Sequence, residues 1–315
     1  MKILANINIE NKNSLLSGDS VITIGKFECA HLGHAKLFKR TLELAREKKF
    51  LSCAVGFNMN LSALKTERSS LYTDFEQNLI IKEYGFDFFL RLEFNENLAR
   101  MSPTLFVQKI LRLCKARAVV VGQNFKFGYN REGNFELLSA LCAERGVEAH
   151  GIKELMDGDE KISASRIRRA LETGEIENAN KLLGRLFSFV GKVIKGRQLG
   201  RTLGFPTANL LLPENKFIPS KGVYAARIVY KKNVFDGVVS VGVNPTISAL
   251  TKTPKISVEA HIIDFNQNIY GEEISVFLVK FLREEKKFSD IEELRLNIEL
   301  DVKRAQKILK EKYNT

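Results

Sequence analysis

The chain is poor in the features that mark membrane, secreted and metal-scaffold proteins. Among its 315 residues no apolar run is long enough to cross a bilayer, and the N-terminus (Met1-Lys2-Ile3-Leu4-Ala5-Asn6) carries no secretory pattern. There are four cysteines, Cys29, Cys53, Cys114 and Cys142, scattered without a Cys-x-x-Cys pair, and three of them sit in apolar surroundings, where reduced, buried thiols are expected. Only four histidines are present, and no Cys or carboxylate set accompanies the close pair among them, which argues against zinc. Internal repeats and low-complexity segments are missing too. These absences describe a cytoplasmic protein.

Charge is the one imbalance. Lys and Arg outnumber Asp and Glu by 49 to 37, a formal net charge of +12. The basic residues are spread along the chain, and no aromatic-interleaved basic block offers a single-strand binding face. Enzymes that bind polyanionic nucleotides are also basic, so no nucleic-acid partner is expected. Hydrophobic content of 44% and charged content of 27% are ordinary, and the length allows two domains with separate cores.

Two periodicities divide the chain. Over residues 20–184, short apolar runs (Val21-Ile22-Thr23-Ile24, Ser52-Cys53-Ala54-Val55-Gly56-Phe57, Phe86-Asp87-Phe88-Phe89-Leu90, Ala118-Val119-Val120-Val121) alternate with amphipathic stretches. Helices are expected at about 33–49 and 74–84. A third runs from Pro103 to about Ala116, with Ser102 as its cap. That alternation predicts an open parallel sheet covered on both faces, with ligands at the carboxyl ends of its strands. The loops after Ile24, Phe57 and Val121 are therefore the places to search. From Phe187 onward, strands at 187–194, 222–230, 234–243, 256–263 and 274–281 follow without helices. A terminal helix from Ser289 closes the chain. This second pattern predicts a small antiparallel barrel, with the domain boundary at 184/185.

Gly196-Arg197-Gln198-Leu199-Gly200-Arg201-Thr202-Leu203-Gly204-Phe205-Pro206-Thr207-Ala208-Asn209 is the most informative stretch. Three glycines at four-residue spacing allow close backbone approach to a ligand, and two arginines supply charge for phosphates. Pro206 stiffens a turn presenting Thr207 and Asn209, whose hydroxyl and amide oxygens suit a hard cation. No Gly-Lys-Ser/Thr follows, so this is not the usual phosphate loop.

The first half holds a second constellation. His31-Leu32-Gly33-His34 sits between a strand and the N-terminus of a helix, where free amides and two imidazoles can meet an anion. Val121-Gly122-Gln123-Asn124-Phe125-Lys126-Phe127-Gly128 follows a later strand, with Arg131 and Gly133 beyond. Ile162-Ser163-Ala164-Ser165-Arg166-Ile167-Arg168 opens a helix whose serines can cap it and whose arginines can grip phosphates. The alternatives are a helix-start polar pair, and a surface cap with solvated arginines.

On these residues the chain closely resembles the bacterial bifunctional riboflavin kinase/FAD synthetase family, from about Val21 to Ala305. The most specific match is Gly200 to Asn209. Gly222-Val223-Tyr224-Ala225, Asn244-Pro245-Thr246, the run Val258 to Phe265, Tyr270-Gly271 and the run Phe281 to Phe288 fit as well. The resemblance implies a Rossmann-like nucleotidyltransferase domain over 1–184, then a six-stranded barrel kinase domain over 185–315. It implies FMN made from riboflavin and ATP, and then FAD made from FMN and a second ATP. Thr207 and Asn209 would hold magnesium (Mg2+) on ATP, Glu259 would be the kinase base, and Arg283 would lie by the flavin. Gly200, Arg201, Gly204 and Pro206 would complete the kinase site. Gly25, Phe27, Gly33, His31, His34, Asn124, Ser163, Ser165, Arg166 and Arg168 would serve adenylyl transfer. Gly25-Lys26-Phe27-Glu28-Cys29 departs from the family's usual Gly-Asn-Phe-Asp-Gly, and Asn58-Met59-Asn60 stands where a Pro-His-Pro type motif is usual. The rival readings are a monofunctional kinase with a silent first domain, and a nucleic-acid or regulatory protein on the same fold. No oligomeric state is implied.

Overall fold

Val21-Ile22-Thr23-Ile24 is the heart of a parallel sheet in the computed structural model, which describes residues 1–11, 13–58, 69–196, 198–243 and 256–313. Arg197, Met59-Asn60 and Asn244-Pro245-Thr246, singled out above, lie outside the described residues. Two compact units are present, Met1–Ala164 and Ser165–Thr315.

In the first unit, β1 (Lys2–Ile7), β2 (Ser20–Ile24), β3 (Leu51–Asn58), β4 (Phe88–Glu93), β5 (Ala116–Gly122) and β6 (Glu148–Ile152) lie in the order β1-β4-β3-β2-β5-β6. Every neighbouring pair is parallel. The connecting helices are α1 (Leu32–Lys48), α2 (Asp74–Glu83), α3 (Glu96–Ala99), α4 (Pro103–Cys114) and α5 (Phe135–Ala143). All five residues of β2 are buried, as a strand covered on both faces requires. Ile22, Ile24, Val119 and Val121 pack with Phe106, Val107 and Ile110 of α4 in one core. Local signals behave as read: Ser102 Oγ accepts from Leu105 N, and Pro103 stands at the first helical turn. Thr73 and Glu76 cap α2 reciprocally, satisfying two backbone donors at once. All four cysteines are buried, and none is in a disulfide. The chain steps outward from β2 to β3 and β4, then returns across β2 to β5. The carboxyl ends of β2 and β5 therefore flank the point where the strand order reverses. A two-stranded hairpin, β7 (Met156–Asp157) with β8 (Glu160–Lys161), follows the sheet.

The second unit begins with α6 (Ala164–Glu172, its first residue apart) and α7 (Ile176–Leu183). Then come β9 (Phe187–Ile194), α8 (Leu199–Thr202), β10 (Thr207–Leu211), β11 (Gly222–Tyr230), β12 (Asn233–Val243), β13 (Ile256–Ile262), β14 (Glu273–Arg283) and α9 (Ile291–Tyr313). The strands close as β10-β13-β12-β11-β14-β9, each pair antiparallel. Closure removes free edges. Along β13, Val258, Ala260 and Ile262 are buried, while Ser257, Glu259 and His261 alternate onto the half-exposed face. Ala305 and Leu309 of α9 pack on Val223, Ala225 and Val238. Asn180 of α7 is buried and answers two strands, donating to Leu278 O at 2.9 Å and accepting from Phe187 N at 2.6 Å.

One local reading needs correction. Thr207-Ala208-Asn209, which the expected strands leave out, is a strand: β10 is short and follows Pro206, so its pairing partners rather than its own pattern make it one.

Candidate active sites

The first unit carries a cleft of about 650 Å3 at the carboxyl ends of its strands, lined from Phe57 near the end of β3 and from the segments after β2, β4, β5 and β6. Gly25, Phe27, His31, Gly33, His34, Asn124 and Ser163 all line it, so these expected residues are brought together. His31 is the N-cap of α1, its Nδ1 accepting from His34 N at 3.3 Å. The two imidazoles stack with centroids 3.8 Å apart, and the edge of Phe27 meets His34 at 5.2 Å. His31 thus serves the helix start and the cleft together. The loop that presents it is strained, for Phe27 and Ala30 hold φ of 45° and 39° in the left-handed region. Such strain persists only where surrounding contacts over-determine it.

Electrostatically the cleft favours anions. Lys26, Lys126, Arg131, Lys153 and Lys161 face it, with Glu154 the single carboxylate among the described lining residues. That carboxylate is already engaged, by Asn124 Nδ2 and by Lys161 Nζ at 3.3 Å. Phe57, Phe94, Phe106 and Phe125 add an apolar wall. Sequence reading missed this wall and the cations at 153 and 161, because their residues come from six separate segments with no shared spacing. Ser165, Arg166 and Arg168 lie on α6 in the second unit, where the Arg168 guanidinium sits 4.8 Å over the Phe217 ring.

The second site is built on strands. In the β10–β13 register, Asn209 stands opposite Glu259 and Thr207 opposite His261, so all four side chains share one face. Thr207 Oγ1 donates to Glu259 Oε2 at 3.1 Å. His261 Nδ1 lies 2.9 Å from Pro206 O, and since a carbonyl only accepts, Nδ1 carries the proton. Burial pushes the His261 pKa down, against the opposing pull of the Pro206 carbonyl and Asp264.

Beside this wall a cavity of about 470 Å3 is lined by Gln198, Arg201, Pro206, Thr207 and residues 265–270. Thr207 therefore belongs to both the wall and the cavity. Two motif glycines are required by the chain itself: a Cβ at Gly196 would lie 2.2 Å from the Asn209 side chain, and one at Gly200 would lie 2.4 Å from Phe205 O. Gly204 has open space but holds φ of 86°, a turn requirement. Arg283 is clamped by Asp301, with Nε donating at 3.1 and 3.0 Å and Nη2 at 2.8 Å, and Asp301 is buried on α9. That partner was not visible in the sequence, being eighteen residues away on another element.

Comparison with known proteins follows the same division. A family model described as FAD synthetase matches residues 14–166, and one described as riboflavin kinase matches residues 183–309. Curated relatives named bifunctional riboflavin kinase/FMN adenylyltransferase match nearly end to end. The protein from Buchnera aphidicola of Acyrthosiphon pisum is 35% identical over 98% of both chains. Those from Bacillus subtilis and Escherichia coli K12 are 34% and 30% identical, over 91% and 96% of both. A solved structure from Streptococcus pneumoniae described as a macrolide-efflux protein shares the fold, with TM-score 0.87 and 28% identity over 96% of this chain and 99% of that one. Among the described residues here, no helix is long and apolar enough to cross a membrane.

Proposed function

The chain belongs to the bifunctional riboflavin kinase/FMN adenylyltransferase family, and from that premise we propose how its residues divide the two reactions. One reaction moves the γ-phosphoryl group of ATP to riboflavin, giving FMN and ADP. The other joins FMN to the adenylyl group of a second ATP, giving FAD and pyrophosphate.

The observation that carries the kinase assignment is the bond from Thr207 to Glu259 across paired strands. Glu259 accepts the proton of the ribityl 5′-hydroxyl as that oxygen attacks phosphorus. Thr207 and Asn209 offer two neutral oxygens beside that carboxylate, a donor set that suits magnesium shared with ATP phosphates. Among the described residues no group of three His, Cys or acidic side chains could cage a cation unaided. Bound magnesium supplies charge neutralisation on the phosphates. Arg201 and Gln198 hold the nucleotide in the adjoining cavity, on a loop shaped by Gly200, Gly204 and Pro206. Arg283, oriented by Asp301, lies beside the flavin.

For adenylyl transfer, an FMN phosphate oxygen attacks the α-phosphorus of ATP; that P–O bond forms as the bond to pyrophosphate breaks. His31 and His34 stabilise the developing charge, and Lys26, Lys126 and Arg131 neutralise the phosphates. The phenylalanine wall takes the flat flavin ring. Asn124 and Ser163, with the backbone at Gly25, Phe27 and Gly33, shape the cleft. Ser165, Arg166 and Arg168 are assigned to the same step by the family resemblance, which puts the boundary of labour at 184/185. The protein works in the cytoplasm on small molecules, without nucleic acid or membrane.

Chromatographic analysis of products tests this. Riboflavin with ATP and magnesium is expected to give FMN and then FAD, and a chelator to stop the first step. FMN supplied with ATP but yielding no FAD would leave a kinase alone.

A further inference from the structure

We infer that Arg91, which lines neither site, is a positioning residue for adenylyl transfer, acting through Gln77 on the Phe27 turn that seats His34. This rests on the assignment of His34 to that step.

An interior parallel strand wants apolar residues, and β4 supplies them at Phe89, Leu90 and Leu92, all fully buried. Arg91 stands among them with its side chain 3% exposed. A leucine or methionine would fill that place without desolvating a cation, so packing alone does not account for an arginine. What the guanidinium does is specific. Its Nη2 donates to Gln77 Oε1 at 2.7 Å, to Asn78 Oδ1 at 2.9 Å and to Asp74 O at 3.3 Å, while Nη1 pairs with Asp74. Burial pulls its pKa down and Asp74 opposes that pull.

Arginine cannot accept a hydrogen bond, so it fixes which end of the Gln77 amide faces it. The other end, Nε2, is thereby aimed at the loop after β2. It donates to Phe27 O at 2.7 Å and Lys26 O at 3.4 Å. Phe27 is the residue at φ 45°, a conformation disfavoured for an aromatic side chain. Its ring is wholly buried, edge-on to His34 at 5.2 Å and to Phe38 at 4.8 Å. Guanidinium, amide, turn and imidazole thus form one continuous line of contacts. Releasing the Phe27 carbonyl relaxes the turn and shifts the imidazole against the substrate.

Gln77→Glu tests the relay, because a carboxylate keeps the shape and still accepts from Arg91 but cannot donate to the carbonyls. The expected result is a fall of about 10- to 100-fold in kcat for FAD formation from FMN, the scale of a misplaced catalytic group. KM for FMN and ATP, FMN formation from riboflavin, and the thermal midpoint stay near those of the wild type. Added to His34→Ala, the substitution lowers kcat no further. Should Gln77→Glu not fold, Gln77→Met removes both ends of the amide and is expected to give the same split between kcat and KM. Wild-type kcat in a folded variant, a kcat loss tracking lost thermal stability, or losses that add to those of His34→Ala would each overturn the relay. Full FAD formation by His34→Ala would instead sink the histidine assignment itself.

Discussion

The two units build their sites by opposite means. In the parallel-sheet unit the candidate groups sit on loops and a helix start beyond the strand ends, and a strained turn at Phe27 and Ala30 is held by contacts from behind. In the barrel unit the groups stand on the strands themselves, where the β10–β13 register places Asn209 against Glu259 and Thr207 against His261. A loop site can adapt around two substrates that must meet in line. A site written into strand register has the spacing of its strand-borne groups set by backbone hydrogen bonds. The first design depends on distant buttresses, and the second depends on pairing.

The sharpest way to separate them is a reciprocal pair of substitutions. Glu259→Ala is expected to lower FMN formation from riboflavin by about 10²- to 10⁴-fold, the range of a lost general base, with FAD formation from FMN kept. His34→Ala should do the reverse, lowering FAD formation by about 10²- to 10³-fold with phosphorylation intact. Rate assays on each half-reaction read both, and an effect that crosses from one reaction to the other breaks the division. A smaller loss is expected from Thr207→Val, which keeps a branched side chain on β10 but removes the hydroxyl that meets Glu259. Losing a hydrogen bond to a charged group predicts about a 10- to 100-fold lower phosphorylation rate. A magnesium titration of the same variant should shift to higher concentration.

The smallest effect concerns pH. His261 has its pKa lowered by burial, so the unfolded chain takes up that proton first as pH falls. Stability of the barrel therefore declines as pH drops below the unfolded value of about 6.5. His261→Gln is expected to flatten that part of the profile, read as thermal midpoints between about pH 7 and 5. An unchanged slope would show that other groups carry it.

Much of this architecture could be read before the structure, and the gaps have physical causes. The buried strands β2, β3 and β5 announce themselves as apolar runs, and α4 announces its start through Ser102 and Pro103. Strand β1 does not: it pairs on one side only, its residues are mostly exposed, and so no pattern is imposed on it. Strand β6, Glu-Ala-His-Gly-Ile, is the opposite edge and equally unpatterned. In the sites, residues close in the chain were legible as motifs, such as His31 with His34 and Thr207 with Asn209. Contacts made by distant segments were not, among them Arg91 with Gln77, Asp301 with Arg283, and the phenylalanine wall. Nothing local marks such partners, because the fold alone makes them neighbours.

In the proposed assignment, the ring of six strands separates the groups that react from the hollow that selects the nucleotide. Asn209 and Glu259 are rungs paired on both sides and Thr207 is a rung paired with His261, whereas the bend at 265–270 only borders the neighbouring hollow and carries no rung. With the nucleotide seated in that hollow as proposed, substitutions there are expected to change which triphosphate is admitted while the transfer chemistry stays in place. Lineages and engineers alike can therefore vary preference at the rim without disturbing the wall.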